Sequence, residues 1–438
     1  MSTVLVLGAG FVAGPLVRYF LERPEAAVRV ADVEWSKAQA LIGSHPRGKA
    51  LSLDLQNEDA LNKEIAGADL VVSLVPYGYH PLVARHCIAL RKNMVTTSYA
   101  SDAMKGLDAD ARRAGITILN EVGLDPGIDH MEAMRVIAEI KARGGTVLGF
   151  TSYCGGLPAP EANTNPWGYK FSWSPRGVLL AGKNAARYFK DGREVNIPGP
   201  DLFAHYEMVT IPGLGVFEGY ANRDSVPYAA LYGIAAARTM FRGTLRYPGW
   251  CATLKKIGDI GLLDPAERDL KGTTWAGLLK SLAGLAPGAD LPTSLADKLG
   301  LSAKSGIIDR WAWLGLFDDA PIPMARGSAL DVLEHLMLRK LRYAEGERDM
   351  IILRHAFRYA GPDGREKAVT STLIDYGIPG GDSSMARTVG LPAAAGARLL
   401  LEGRIDRKGV CLPVYPEIYG PILRELDGRG IVFKEEEG

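Results

Sequence analysis

Three positions near the N-terminus have the spacing of a site for the phosphates and ribose of a dinucleotide. Gly8, Gly10 and Ala13 form a GxGxxA pattern directly after an apolar run and at the start of an amphipathic segment. Glycines allow a tight turn and a close approach to a pyrophosphate, whose charge a helix N-terminus stabilises. Asp32 ends the second apolar run, 22 residues after Gly10, where such sites carry the acid that binds the adenosine ribose. The residues expected to contact the dinucleotide here are Gly8, Gly10, Phe11, Val12 and Asp32.

The acid at position 32 predicts NAD rather than NADP, with NADP use still possible. A 2′-phosphate carries a charge of roughly −1.5 to −2. A carboxylate ~4 Å away repels each unit of it by ~1 kcal/mol in water and ~4 kcal/mol at an effective dielectric of 20. Glu34 adds a second acid, and Lys37 is the nearest cation. Asp54, after the third apolar run, could touch the adenine or only cap its own loop.

Polar clusters follow the next three apolar runs. Val75 begins the first cluster, residues 97–99 (Thr-Ser-Tyr) form the second, and the third contains Asp125. Ligands of a doubly wound sheet bind beyond the carboxyl ends of its strands. We therefore expect Val75, Thr97, Ser98, Tyr99 and Asp125 to converge on the reactive end of the cofactor and on a substrate.

The elements that position these residues alternate in the first third of the chain. Short continuous apolar runs are separated by segments of helical periodicity, which is typical of a parallel sheet covered on both faces. The pattern then predicts a helix from Ser174 to Lys190, and a helical stretch without good strands at 250–342. Two strand-like runs around the turn at 362–365 predict an antiparallel hairpin, and a long helix at 384–402 precedes the tail.

Composition excludes several classes of protein. Fifty-one Lys and Arg against 50 Asp and Glu leave a net charge of +1, unlike the basic excess of nucleic-acid binders. No apolar run reaches the ~18 residues of a membrane span. Four scattered cysteines without a CxxC pair, and seven histidines without ligand spacing, predict no disulfide framework and no metal. The N-terminus has no basic signal region, so we expect a cytoplasmic protein.

Longer motifs reveal a family resemblance. The run EVGLDPGIDH at 121–130 resembles the strand-to-helix junction of saccharopine dehydrogenases. SYCGGLPAPE at 152–161 and NPWGYKFSWS at 165–174 resemble the most distinctive stretch of that family. Further similarities occur at 243–247, 313–317, 371–377 and 383–385, so the resemblance covers essentially the whole chain.

The resemblance implies an α/β protein of three parts. A Rossmann doubly wound parallel sheet is expected at 1–124 and 392–438. A mixed α/β substrate and dimerisation domain is expected at 125–262 and 349–391, with a helical insertion at 263–348. The family forms dimers through its substrate domain, so we expect a homodimer that uses the hairpin strands at 350–375.

The implied reaction is oxidation of the secondary amine of saccharopine to an imine, which water cleaves to L-glutamate and 2-aminoadipate 6-semialdehyde, or the reverse. Three substrate carboxylates require cations, and Arg223 and Arg246 match the family's substrate arginines. Asp125, Tyr99 and Lys170 are the expected catalytic residues. The other expected substrate contacts are Ser98, Cys154, Thr244 and Leu245. The direction in the cell is open. NADP-preferring members usually lack an acid at position 32 and carry a basic residue nearby.

Two alternatives remain at the level of sequence. A carboxynorspermidine or carboxyspermidine dehydrogenase uses the same imine chemistry on a substrate with fewer carboxylates, and an acidic pocket in place of the arginines would favour it. A nucleotide-sensing regulator would retain the Rossmann part but lose Tyr99, Asp125 and Arg223, which are all present.

Overall fold

The first third of the chain folds as the strand–helix alternation predicts. The computed structural model describes all 438 residues. The strands are β1 (Ser2–Leu7), β2 (Ala26–Asp32), β3 (Gly48–Ser52), β4 (Leu70–Ser73), β5 (Asn93–Thr96) and β6 (Thr117–Leu119). The helices are α1 (Ala13–Leu21), α2 (Trp35–Ile42), α3 (Glu58–Ala66), α4 (His80–Ala89), α5 (Asp102–Lys105), α6 (Asp108–Ala114) and α7 (Ile128–Ala142).

The middle of the chain is mixed. Its strands are β7 (Thr146–Pro158), β8 (Ala186–Lys190), β9 (Arg193–Ile197), β10 (Tyr206–Ile211), β11 (Gly215–Ala221), β12 (Thr239–Arg246), β13 (Glu267–Asp269), β14 (Arg326–Ser328) and β15 (Asp349–Ala360). Its helices are α8 (Pro175–Ala181), α9 (Val226–Leu231), α10 (Trp250–Asp259), α11 (Trp275–Ala283), α12 (Leu291–Leu299), α13 (Gly306–Leu314) and α14 (Ala329–Lys340). The tail adds β16 (Glu366–Tyr376), α15 (Ser384–Leu401), β17 (Gly409–Cys411), α16 (Pro416–Asp427) and β18 (Phe433–Glu437).

Seven strands form a parallel sheet in the order β17-β6-β5-β4-β1-β2-β3. The order 3-2-1-4-5-6 of its first six strands is that of the Rossmann fold. Val4 to Leu7 and all four residues of β4 are buried, because helices cover both faces of the sheet. The tail completes the sheet through β17, a three-residue strand too short for its pattern to predict.

The chain divides into two compact units. The first contains residues 1–147, 231–233 and 358–438, and the second contains 148–230 and 234–357. In the second unit, strands lie in the order β10-β11-β12-β7-β15. The finer division into three parts, with a helical insertion at 263–348, stays a prediction. No helix combines the length and apolar character that crossing a membrane requires.

The helix predicted from Ser174 to Lys190 is wrong in its second half. Ser174 does cap α8, since its hydroxyl accepts the Gly177 amide hydrogen at 3.2 Å, but the helix ends at Ala181. Residues 186–190 instead form β8, which pairs with β9 around a turn where Gly192 has φ +81°. The stretch at 250–342 likewise contains two short strands, β13 and β14, paired with each other.

Helix α15 packs against α1 at the glycine-rich turn. A Cβ added to Gly390 would lie 2.7 Å from the Val12 carbonyl oxygen, closer than two such atoms can approach. The clash would be with backbone atoms, which cannot move aside as a side chain can, so position 390 requires glycine.

We expect Gly390→Ala to lower the free energy of unfolding by about 1–3 kcal/mol, the usual cost of overpacking. Gly420→Ala is the matched control, because Gly420 also lies inside a helix but its Cβ would meet only the mobile end of Arg424, at 3.4 Å. That change should be neutral or stabilise by up to ~1 kcal/mol. Urea denaturation of the two variants tests this, and equal midpoints would contradict it.

Candidate functional site

The glycine-rich turn leaves its backbone bare on one side. Gly8 has φ +100°, and a Cβ there would lie 2.9 Å from the Leu74 carbonyl oxygen. Nothing lies within 4 Å of the Cβ position of Gly10. The first turn of α1 has no side-chain cap, and the Ala13 amide donates only to the Gly10 carbonyl oxygen of the turn itself, at 3.2 Å. Phe11 is 63% exposed beside this turn, and Val12 is half-buried. The turn fits a pyrophosphate.

Asp32 connects two loops at the end of β2. Its Oδ2 accepts the Ala9 amide hydrogen at 2.8 Å, and its Oδ1 accepts that of Glu34 at 2.9 Å. The carboxylate is therefore fixed directly beside the glycine-rich turn, as the sequence predicts. Lys37 forms an ion pair with Glu34 at 2.5 Å. Asp54 is exposed, and its carboxylate accepts the Gln56 amide hydrogen at 2.9 Å within its own turn.

The predicted residues after β4 and β5 adjoin the same turn and the loop at 121–127. The Cβ position of Gly8 lies 3.3 Å from the Val75 nitrogen, and that of Gly123 lies 3.2 Å from Thr97 Cβ. The structure thus brings these loops together at the carboxyl edge of the parallel sheet.

Ser98 is oriented by His80, to which sequence analysis assigned no role. His80 Nε2 lies 2.9 Å from Ser98 Oγ, and its Nδ1 lies 2.9 Å from Ser73 Oγ. Burial lowers the pKa of His80 to about 4, so the ring is neutral at pH 7. A neutral ring has one donor and one acceptor nitrogen, which suits hydroxyl partners, and Thr96 Oγ1 is a third at 3.1 Å from Nε2. The sequence shows a His-Pro pair that could begin a helix, but only the folded structure shows that His80 lies beside Ser98.

Tyr99 and Asp125 form a direct pair. The Tyr99 hydroxyl donates to Asp125 Oδ1 at 2.7 Å. Asp125 lies in a tight loop whose Gly127 has φ +150°, and a Cβ there would approach Gly123 to about 2 Å. The loop therefore needs glycine at 127. It brings together two of the three residues predicted to be catalytic.

In the second unit, Arg246 is a buried cation without a carboxylate partner. Its side chain is 4% exposed, its Nη1 donates to the Leu245 carbonyl oxygen at 2.8 Å, and its buried Nε has no hydrogen-bond partner. The guanidinium carbon lies 5.1 Å from the ring centre of Tyr169 and 5.6 Å from that of Trp250. Trp250 Nε1 is also buried without a partner.

This arrangement favours an anionic ligand. Removing a charge from water costs several kcal/mol unless a partner compensates. The two donors without a partner, Arg246 Nε and Trp250 Nε1, suit an anionic acceptor. Burial raises the pKa of the neighbouring Tyr220 to about 12, although Arg246 acts in the opposite direction, so the hydroxyl stays neutral and adds no negative charge.

Other predicted substrate contacts surround Arg246 on its sheet. Cys154 pairs with Thr244 across β7 and β12, and Cys154 is also buried. Because side chains alternate along a strand, Thr244 shares a face with Arg246, whereas the fully buried Leu245 points to the other face. The side chain of Leu245 therefore cannot contact what Arg246 binds, and only its backbone can.

Arg223 lies after β11, with φ +58°. The Asn222 amide donates to the Arg242 carbonyl oxygen at 2.8 Å, which aligns this part of the chain with the first half of β12. Arg246 is several residues further along that strand. At ~3.3 Å per residue, the backbone positions of Arg223 and Arg246 are roughly 15 Å apart.

The contacts of Lys170 oppose its predicted catalytic role. Its Nζ lies 2.6 and 2.5 Å from the two carboxylate oxygens of Glu347 and 3.0 Å from Thr164 Oγ1. These three acceptor atoms match the three hydrogens of an ammonium. The side chain is 6% exposed. Lys170 thus forms an internal ion pair, and sequence could not reveal this because Glu347 lies 177 residues away.

Comparison with known proteins gives consistent matches over the whole chain. Residues 4–119 match the model of the saccharopine dehydrogenase NADP binding domain, and residues 123–431 match that of the saccharopine dehydrogenase C-terminal domain. The L-glutamate-forming, NADP(+) saccharopine dehydrogenase of Saccharomyces cerevisiae is 44% identical over 99% of both chains. The mitochondrial alpha-aminoadipic semialdehyde synthase of Bos taurus is 42% identical over 98% of this chain and 47% of its own.

Solved structures agree. The apo L-glutamate-forming saccharopine dehydrogenase of Saccharomyces cerevisiae has a TM-score of 0.89 and 41% identity, covering 100% of both chains. A homospermidine synthase of Legionella pneumophila, with a TM-score of 0.61, 11% identity and coverage of 100% and 91%, shares the fold alone. The α/β fold with a Rossmann sheet is confirmed, and the matched domains support a nicotinamide cofactor. The chain belongs to the saccharopine dehydrogenase family.

Proposed function

We propose that this protein is an L-glutamate-forming saccharopine dehydrogenase of lysine metabolism. It oxidises the secondary amine of saccharopine to an imine, which water cleaves to L-glutamate and 2-aminoadipate 6-semialdehyde, or it catalyses the reverse reductive condensation. The observation that carries this proposal within the family is the buried Arg246, whose guanidinium has no carboxylate partner and a free Nε donor, and therefore favours an anionic ligand. A polyamine substrate would instead require acids at this position.

The cofactor supplies the hydride acceptor. The residues that we propose to hold it are Gly8, Gly10, Phe11, Val12, Asp32, Val75, Thr97 and Ser98. The bare glycine turn and the uncapped first turn of α1 suit a pyrophosphate. Asp32, fixed by two backbone amides, suits a ribose with two free hydroxyls.

Two separated arginines suit a long substrate with carboxylates at both ends. Arg246 binds one carboxylate in a dry, aromatic environment, where its donors are strongest. Arg223 binds another carboxylate. The backbone positions of the two arginines are roughly 15 Å apart, and their long side chains can bring the two guanidinium groups closer together. Cys154 and Thr244 line the approach to Arg246 on the same sheet.

We assign the amine and its proton to Asp125. A carboxylate oriented by the Tyr99 hydroxyl attracts the cationic amine and accepts the proton that oxidation releases. Tyr99 limits the rotation of this carboxylate. Lys170 is left out of the proton path because its ammonium is fully engaged.

A spectrophotometric assay of NAD and NADP reduction with saccharopine tests the reaction and the cofactor together. Family relatives are named for NADP(+), but we propose that this chain prefers NAD, because Asp32 repels a 2′-phosphate. We expect at least ~10-fold higher kcat/KM with NAD, equal to ~1.4 kcal/mol of net repulsion. Asp32→Ala should narrow this ratio, and Asp54→Ala should leave it unchanged. Equal efficiency of the wild type with both cofactors would refute the preference.

Arg246→Ala should lower kcat/KM for saccharopine. The loss should correspond to ~2–4 kcal/mol of transition-state stabilisation, because a charge-assisted bond is lost and a substrate carboxylate is left poorly paired. The dissociation constant for NADH should barely change. Arg176→Ala is the control, since Arg176 is half-exposed and paired with Asp331 and Glu334 in the same unit. Steady-state kinetics with NADH fluorescence titration measure both quantities. Near-normal efficiency of Arg246→Ala and Arg223→Ala would show that the substrate assignment is wrong.

We further propose a homodimer. One face of the edge strand β10 and its neighbour β11 exposes Tyr206, Met208 and Val216, by 40%, 54% and 45%. Sedimentation should give twice the chain mass of 47.1 kDa, and Met208→Glu should shift the protein towards monomer. Ile374→Glu, on the hairpin expected from sequence, should not. A wild-type monomer at micromolar concentration would contradict the proposal. If Ile374→Glu gives monomers and Met208→Glu does not, the interface lies on the hairpin instead.

A further inference from the structure

Glu121 holds the chain on both sides of Tyr99. Its side chain is buried, and its backbone adopts φ +60°, unusual for a residue other than glycine. Its amide donates to the Ser98 carbonyl oxygen at 3.2 Å, and its Oε1 accepts the Ala100 amide hydrogen at 2.9 Å. One residue therefore fixes the positions immediately before and after Tyr99.

The other carboxylate oxygen of Glu121 binds His130. The distance from His130 Nε2 to Glu121 Oε2 is 2.7 Å, and both side chains are almost completely buried. A carboxylate only accepts hydrogen bonds, so Nε2 carries a hydrogen. His130 Nδ1 in turn lies 2.5 Å from the Tyr232 hydroxyl. Tyr232 belongs to 231–233, the short segment that joins the first unit.

This chain of contacts ends at the proposed proton carrier. Tyr99 donates to Asp125, and Asp125 lies between Glu121 and His130 in sequence, on the loop that leads into α7. The Val122 amide also binds the Thr96 carbonyl oxygen at 3.2 Å. The contacts of Glu121 thus reach the backbone on both sides of Tyr99, and the fully buried His130 binds the second carboxylate oxygen of Glu121.

We propose that Glu121, His130 and Tyr232 form a positioning network for the reaction. It rests on the proposed function, because its effect is exerted through Asp125 and Tyr99. His130 itself carries no substrate proton. It orients Glu121, which keeps Tyr99 and Asp125 in the geometry that accepts the amine proton. A misplacement of about 1 Å at a reacting group costs up to ~100-fold in rate.

The test separates this role from a merely structural one. We expect His130→Ala to lower kcat by ~10- to 100-fold, with KM for saccharopine and the NADH dissociation constant within about threefold of the wild type. His130→Gln should recover most of the loss, because its amide can still donate to Glu121. Tyr232→Phe, which removes only a hydroxyl, should lower kcat alone, and it serves if His130→Ala does not fold.

Ser371→Ala is the matched control. It removes a buried hydrogen bond to Glu132, on the same helix α7, without a link to the Tyr99 loop. Ser371→Ala should cost comparable thermal stability with unchanged kcat. Unaltered kcat in His130→Ala and Tyr232→Phe, no recovery in His130→Gln, or an equal loss of kcat in Ser371→Ala would each overturn the network. An inactive wild type would instead refute the proposed function.

Discussion

The parallel direction of seven strands is the constraint on which the first unit depends. Parallel strands end at one edge of their sheet, so loops distant in sequence must meet there. The glycine-rich turn follows β1, Asp32 ends β2, and the Ser98–Tyr99 loop follows β5. The loop that carries Asp125 follows β6. Close backbone approaches at Gly8 and Gly127 let these loops pack without a side chain between them.

The second unit meets a different demand, that of holding a cation in an apolar interior. A buried guanidinium is costly in the free protein, and the surrounding rings compensate only part of that cost. A buried cation without an anionic partner binds an anionic ligand more tightly than a cation that already has one. The contrast with Lys170, which is satisfied by Glu347, shows two outcomes for buried cations in one unit.

The sequence predicted the Rossmann sheet well because its signals are local. Apolar runs, helical periodicity and the spacing from Gly10 to Asp32 each concern neighbouring residues. The failures have the opposite origin. The segment at 186–190 has helical periodicity but pairs with β9 as a strand. The ion pair of Lys170 with Glu347 joins residues far apart in the chain, and the predicted catalytic role of Lys170 stays a prediction. His80 and Glu121 act through contacts that only the assembled loops create. The predicted roles of Arg223, Arg246 and Asp125 stay predictions.

The strand β17 has a consequence for biosynthesis. The Thr117 hydroxyl on β6 donates to the Arg407 carbonyl oxygen, 290 residues later in the chain, and β17 pairs with β6 directly after it. At the usual elongation rate of ~5–20 residues per second, the edge of β6 waits roughly 15–60 seconds for its partner. During that interval a nascent sheet carries an open, apolar edge, the kind of surface that invites aggregation. Pairing with β17 then covers this edge of β6.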